Sequence, residues 1–83
     1  MDRKDWNDEK KYFFLRKDIG LSHREVDIAK AMIEEKTDKG IGARLNISHK
    51  TVHTHRMNIY KKTDCHDRGD FICYLISKGW KMD

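Results

Sequence analysis

The chain has 83 residues, a formal net charge of +4 and 39% charged residues. This length supports one small domain at most, and no apolar run approaches the ~18 residues that a membrane span requires. Proline is absent, which favours helices over a turn-rich β fold. Residues 1–20 carry too much charge for a signal peptide. We therefore expect a soluble, cytoplasmic protein, and the absence of proline leads us to expect an all-α fold.

Residues 1–20 are interpreted as an N-terminal extension or linker that precedes a domain over residues 21–80. The extension contains several aromatic side chains and is too apolar for a free tail. Trp6 and Phe13 are seven positions apart, which is compatible with one helical stripe. We expect a partly helical segment that packs on the first or last helix of the domain, or pairs with a second chain.

The first helix of the domain is predicted over about 23–35. Ser22 and Glu25 have the spacing of a capping box, in which the hydroxyl accepts one amide and the carboxylate accepts another. Apolar side chains then recur at helical spacing. These are Val26, Ala29, Met32 and Ile33.

A short second helix is predicted over about 38–45. Thr37 has the chemistry of an N-cap, and Ile41 and Leu45 are four positions apart. A glycine inside a helix costs up to about 1 kcal/mol relative to alanine, so a packing reason is needed for Gly42. We attribute it to the close approach of another helix.

A third helix is predicted over about 49–63, with Ser48 as its N-cap. The connection to the second helix has the length found in a helix-turn-helix. The segment HKTVHTHRMNIYKKT contains four Lys or Arg and three His but no acidic side chain, whereas the rest of the chain is nearly charge-balanced. A basic helix in an otherwise neutral small domain is typical of a protein that binds a polyanion.

The spacing divides this third helix into two faces. Val52 and Ile59 are seven apart and should face the core. The opposite face, here called the outward stripe, combines cations with side chains that contact base edges in double-stranded DNA: histidine and threonine form hydrogen bonds, and methionine contacts the thymine methyl group. The outward stripe consists of Lys50, His53, Thr54, Met57 and Lys61.

A fourth helix is predicted over about 68–79, between Asp67 as N-cap and Gly79. Residues 71–76 are apolar or aromatic throughout, but only one stripe of a helix can face its own core. We assign that stripe to Phe71, Ile72 and Leu75. The other side chains would form an exposed apolar patch, which usually marks an interface. We therefore expect a homodimer through Cys73, Tyr74 and Ile76, or else that residues 1–20 fold back over them.

The sequence patterns do not favour a metal site, a bound cofactor or a catalytic activity. His53 and His55 are two apart on a helix and cannot share an ion, and the adjacent pair Cys65 and His66 lacks tetrahedral-site spacing. Catalysis needs a nucleophile with a positioned base or a pair of carboxylates in a pocket, but Ser22 and Ser48 are explained as helix caps, and Asp64 and Asp67 as a turn and a cap. The two cysteines should remain reduced, with Cys65 in a loop or at a helix end and Cys73 as a small core residue.

Between Leu21 and about Gly79 the sequence resembles the LuxR-type (GerE-like) helix-turn-helix. The family pattern opens with L-[ST]-x-R-E, which is LSHRE here. Its centre, K-x-I-A-x-x-L-x-I-S-x-x-T-V-x-x-H, is matched at Lys39, Ile41, Leu45, Ile47, Ser48, Thr51, Val52 and His55. Its tail, I-x-x-K-x-x-x-x-x-R, is matched at Ile59, Lys62 and Arg68. Three positions depart from the pattern, with Glu35, Gly40 and Gly42 where the family has glycine, glutamate and alanine.

The resemblance implies a four-helix output domain of a bacterial transcription regulator, which binds double-stranded DNA as a dimer with the helix 49–63 in the major groove. It implies base reading at His53, Thr54 and Met57. Contacts to the DNA backbone are expected from Lys39, Thr51, His55 and Lys62, and the charge of the outward stripe adds Lys50 and Lys61. RNA polymerase is a possible further partner, and DNA binding would place the protein on the bacterial nucleoid.

Two alternatives keep the same fold. A protein-interaction or dimerisation module that does not bind DNA would be expected to lack a basic outward stripe. The promoter-reading region of a sigma factor has a similar helix-turn-helix, but its motifs match this sequence less well. Binding to random duplex DNA would distinguish the interaction module from the two DNA-binding interpretations. Binding to core RNA polymerase would distinguish the sigma-factor region from the other two.

Overall fold

The computed structural model describes residues 8–35 and 37–80, and within these ranges the secondary structure is helical, with no strand. Helix α1 continues directly into a π-helical segment, and four further helices follow. The bounds are α1 Asp8–Phe13, the π-helical segment Phe14–Ile19, α2 His23–Glu34, α3 Asp38–Leu45, α4 His49–Thr63 and α5 Arg68–Ser77. The prediction of an all-α fold with a helix-turn-helix is confirmed. No helix in the described ranges is both long and apolar enough to cross a membrane.

Side-chain caps set the starts of α2 to α5. Ser22 Oγ accepts a hydrogen bond from the Glu25 amide at 3.2 Å, and Glu25 Oε1 accepts one from the Ser22 amide at 2.9 Å, which completes the predicted capping box. Oxygens of the other three predicted caps accept the amide three residues later. These caps are Thr37, Ser48 and Asp67. Each satisfies a backbone donor that the helix itself leaves unpaired.

Helix α5 ends at Ser77, two residues before the predicted end. Gly79 has a left-handed backbone with φ 101°, and the Trp80 amide donates to the Leu75 carbonyl at 2.9 Å. This is the geometry of a Schellman motif. It turns the chain back over the helix, so that Trp80 is buried and its ring meets that of Phe14 edge-on, with 6.3 Å between centroids.

The N-terminal segment packs against the domain, as predicted. Phe14 and Leu15 belong to the same buried cluster as the apolar side chains of α2. The Tyr12 hydroxyl and His23 Nδ1 are 2.9 Å apart. The face that packs differs from the expected one: Phe13 is 51% exposed, and Trp6 lies outside the described residues. Phe14 and Leu15 are the side chains that enter the core.

Arg68 joins the start of α5 to the end of α2. Its Nε donates to the Met32 carbonyl at 2.6 Å and its Nη2 donates to the Ile33 carbonyl at 2.8 Å. Carbonyl groups in the last turn of a helix have no partner within that helix. Arg68, identified only as a motif match, therefore acts as a cap supplied from a distant part of the chain.

The connection between α3 and α4 explains Gly42. Asn46 adopts a left-handed backbone with φ 59°, and the Ile47 amide donates to the Gly42 carbonyl at 2.9 Å. A Cβ atom on Gly42 would lie 2.6 Å from the Ile47 carbonyl oxygen. The next atoms that this Cβ would meet are the His49 amide nitrogen at 3.4 Å and the Ser48 carbonyl carbon at 3.5 Å, at the start of α4. The tightest contact is therefore with the turn that follows α3, and the start of α4 also approaches Gly42 closely, as expected.

The two cysteines are unpaired thiols, with Cys65 partly buried just after α4 and Cys73 exposed. The interpretation of Cys73 as a core residue is wrong. The core face of α5 is occupied by Phe71 and Leu75, both fully buried. A residue two positions from each of them points about 200° around the helix, away from the core.

Candidate nucleic-acid interface

Helix α4 has one buried and one exposed face. Val52 and Ile59 are fully buried, as predicted, and Tyr60 and Thr63 join them. All five side chains of the outward stripe are exposed. Because α4 contains no acidic residue, the lysines on its exposed face are not offset by an acidic side chain of the same helix. Lys50 lies near its start, and Lys61 and Lys62 lie at its end.

Two members of the outward stripe offer specific contact groups. The Thr54 hydroxyl donates to the Lys50 carbonyl at 3.2 Å, which leaves the lone pairs of its oxygen free to accept a hydrogen bond, and Thr54 is exposed. Met57 is 38% exposed and lies four positions after His53, on the same side of the helix. The exposed surface therefore presents hydrogen-bond acceptors and apolar groups side by side.

Asp38, the first residue of α3, contacts two side chains of α4. Arg56 Nη2 donates to Asp38 Oδ1, and His53 Nδ1 lies 3.4 Å from Asp38 Oδ2. The Asp38 and Arg56 side chains are only 21% and 17% exposed. This cluster holds α4 against α3, and sequence patterns missed it because its partners belong to different helices.

Tyr60 lies near Arg56 on the inner side of α4. Burial raises the pKa of the Tyr60 hydroxyl, and the nearby Arg56 opposes that effect only in part. The Tyr60 hydroxyl and Arg56 Nε are buried without a hydrogen-bond partner. In the described ranges no three His, Cys, Asp or Glu side chains are grouped so that they could hold a metal ion.

Lys62 ties the end of α4 to the start of α2. Its Nζ donates to Glu25 Oε1 at 2.7 Å and to the Gly20 carbonyl at 3.2 Å. Burial alone would raise the pKa of Glu25, but hydrogen bonds from Lys62 and Ser22 outweigh it and hold this pKa below its ordinary value. An ammonium group has three N–H donors, and the Lys62 side chain is 40% exposed, so one donor can still reach an external anion.

The other residues expected to contact the DNA backbone differ in accessibility. The exposed ones are Lys39, Lys50, Thr51 and Lys61, whereas His55 is half-buried. Thr51 also shares a hydrogen bond of 3.0 Å with Ser48 Oγ at the start of α4. All of them except Lys39 lie on α4, and Lys39 lies near the start of α3.

The residues expected to form a dimer interface lie on one helix but are not equally exposed. Cys73 and Ile76 are exposed, Ile76 by 52%, and Tyr74 is half-buried against the core. The Lys78 ammonium lies 5.5 Å from the centroid of the Tyr74 ring. Folding back of the N-terminal segment therefore leaves Cys73 and Ile76 uncovered by the described residues.

Comparison with known proteins agrees with the family resemblance of the sequence motifs. Residues 20–75 match the profile of bacterial regulatory proteins of the luxR family. The chain is 47% identical over 62 residues to the uncharacterized response regulatory protein YgeK of Escherichia coli (strain K12), covering 75% of this chain and 42% of that protein.

Two transcriptional regulatory proteins are also similar. DegU of Brevibacillus brevis is 35% identical over 60 residues, covering 72% of this chain and 25% of DegU. LiaR of Bacillus subtilis (strain 168) is 44% identical over 54 residues, covering 65% of this chain and 26% of LiaR. The chain thus spans less than half the length of these relatives. No solved structure gives a significant match.

We expect Glu25→Gln to lower the free energy of unfolding near pH 7 by on the order of 1 kcal/mol, since Lys62 would lose a charged partner while its exposed side remains screened by solvent. The lowered pKa of Glu25 means that its contribution is present above the pKa of the unfolded chain and is lost as pH falls through the folded-state value. The difference between parent and variant should therefore shrink in acid.

Urea unfolding at a series of pH values measures this effect. The control is Asp27→Asn, which removes a carboxylate from an exposed pair with Arg24 at 3.8 Å and should change stability little. A Glu25→Gln protein that is as stable as the parent at neutral pH would contradict the assigned role of this contact.

Proposed function

The chain belongs to the luxR family of bacterial regulatory proteins, and we propose that it binds double-stranded DNA sequence-specifically with α4 in the major groove. Domains of this family are the DNA-binding output parts of transcription regulators. The observation that carries the proposal for this chain is the exposed face of α4, which is cationic, free of acidic side chains and backed by the buried Val52 and Ile59. A helix of this kind fits the width of the major groove.

Base recognition is assigned to His53, Thr54 and Met57. Their exposed groups are an imidazole, a hydroxyl oxygen with its methyl group, and a thioether, and they lie within two turns of one helix. Base edges in the major groove present amino donors, carbonyl and ring-nitrogen acceptors and the thymine methyl group. The three side chains match these groups in chemistry.

Contacts to the DNA backbone are assigned to residues around this surface. Lysines neutralise phosphate charge, and the N-terminal amides of α4, together with the helix dipole, favour an anion at that end. The assigned residues are Lys39, Lys50, Thr51, His55, Lys61 and Lys62. Lys62 would keep its Glu25 contact and use its remaining N–H, while the half-buried His55 requires the closest approach.

The dimer is assigned to α5, through Cys73, Tyr74 and Ile76. Two copies related by a two-fold axis would present two α4 helices to successive turns of one duplex, and would therefore require a roughly palindromic site. Such a protein regulates transcription without catalysing a reaction, acts on the bacterial nucleoid in the cytoplasm, and has RNA polymerase as a possible further partner.

Substitutions in the outward stripe should affect specificity rather than folding. We expect His53→Ala, Thr54→Ala and Met57→Ala each to cost about 1–3 kcal/mol on the preferred site and little on random DNA. Val52→Ala is the contrasting variant, and the loss of buried volume should lower its melting temperature. Anisotropy titrations on a selected site and on random duplex measure the difference, and equal losses on both DNAs for all three variants would refute the base-reading assignment.

Binding should depend steeply on salt. If a dimer releases on the order of eight counterions, the slope of log K against log salt should be near −7. Lys61→Ala should reduce the slope by about one for each protomer and weaken binding to all sequences alike. Lys30→Ala, on the exposed side of α2, is the matched control and should leave the slope unchanged. A parent slope shallower than about −2 would remove phosphate contact as the basis of affinity.

Dimer formation should depend on the exposed side of α5. Ile76→Glu and Cys73→Arg should abolish cooperative occupancy of a full site and keep contacts to a half-site, because they place charge in an apolar interface. Sedimentation of the free protein and footprinting on DNA measure the two effects. Phe13→Glu is the comparison variant, and loss of cooperativity in this variant alone would place the interface on the N-terminal segment instead.

A further inference from the structure

The Asp38 carboxylate has a neighbour for each of its oxygen atoms. Oδ1 accepts a hydrogen bond from Arg56, and Oδ2 lies 3.4 Å from Nδ1 of His53. The Arg56 side chain is 17% exposed and that of His53 is 59% exposed. Asp38 thus links a largely buried cation to an imidazole on the surface that is proposed to read bases.

This arrangement determines where the His53 proton is most stable. An ionised carboxylate accepts hydrogen bonds but donates none, and a neutral imidazole carries one N–H and one lone pair. A lone pair on Nδ1 would face the negative Oδ2, whereas an N–H at that position is attracted to it. The proton therefore favours Nδ1, and the hydrogen bond from Arg56 holds the carboxylate in place.

On the basis of the proposed function, we propose that Asp38 is a positioning residue for specificity, which fixes neutral His53 as the Nδ1–H tautomer and presents Nε2 to DNA as a hydrogen-bond acceptor. In the major groove the base-edge donors are the amino groups of cytosine and adenine, whereas guanine and thymine present acceptors. His53 in this form selects cytosine or adenine at the position it contacts.

Arg56 by itself would give Asp38 a purely structural role, since their pair joins α3 to α4. This structural role and the proposed positioning of His53 lead to different predictions. A structural role changes stability and overall affinity, but a role exercised through His53 changes the tautomer of that ring and the preference at one base pair. The experiments therefore measure these last two quantities.

The first test uses the unmodified protein without DNA. Nitrogen-15 spectra of the imidazole rings, recorded at about pH 8 where histidine is mostly neutral, distinguish a protonated ring nitrogen from an unprotonated one. The His53 signals are those missing from the His53→Ala protein. We expect a proton on Nδ1 and a lone pair on Nε2. The opposite tautomer would overturn the inference, whether or not any Asp38 variant folds.

The second test is a double-mutant cycle on DNA. The base pair read by His53 is the one at which His53→Ala removes discrimination. Asp38→Asn should reduce discrimination at that pair by about three- to tenfold, the worth of one hydrogen bond, and leave the other positions as they were. In the His53→Ala background the same substitution should have no further effect on base preference.

The matched control is Glu34→Gln. Glu34 also accepts a hydrogen bond from an arginine, with 2.8 Å between its Oε1 and Arg44 Nη1. Glu34→Gln therefore changes the charge as Asp38→Asn does, but at a carboxylate that has no histidine contact. It should leave the base preference unaltered. Unchanged discrimination in Asp38→Asn, equal changes at every position, or effects additive with His53→Ala would each overturn the inference while DNA binding stands. A parent protein without any sequence preference would instead refute the proposed function itself.

Discussion

The candidate nucleic-acid interface depends on one constraint, which is the burial of one stripe of α4. Val52 and Ile59 are fully buried, and side chains on a helix of 3.6 residues per turn have fixed angles to one another. Once these two enter the core, Lys50, His53 and Met57 must point outward. The hydrophobic contact that stabilises the domain therefore also orients the face that is proposed to contact DNA.

Charged side chains complete the positioning of the helices. Arg56 pairs with Asp38, Lys62 with Glu25, and Arg68 donates to carbonyl groups at the end of α2. A domain of this size buries a modest fraction of its surface, so such contacts between helices matter for where each helix lies. Loss of Asp38 would leave the largely buried charge of Arg56 unpaired, and loss of Lys62 would do the same to Glu25, which is costly. They also reduce the number of cations that are available to an external polyanion, since Arg56 is directed inward.

The interface differs from a uniformly basic surface in one further way. An acidic residue, Asp38, lies at its edge next to His53, although α4 itself has none. Long-range attraction to DNA arises from the summed positive charge and is not selective among sequences. In the proposed function, a carboxylate that orients one ring would have a local effect, so affinity and selectivity would depend on different side chains of the same surface.

Local sequence determined the helices of this protein and the faces of α4. The caps Ser22, Thr37, Ser48 and Asp67 and the spacing of apolar residues act within one or two turns, so their outcome can be read without a fold. The tertiary structure decided everything that depends on contacts between distant residues. Whether Phe13 or Phe14 is buried depends on the position of Trp80, and the role of Asp38 depends on α4 lying across α3. Such contacts join residues far apart in the chain, and no periodicity within one helix encodes them.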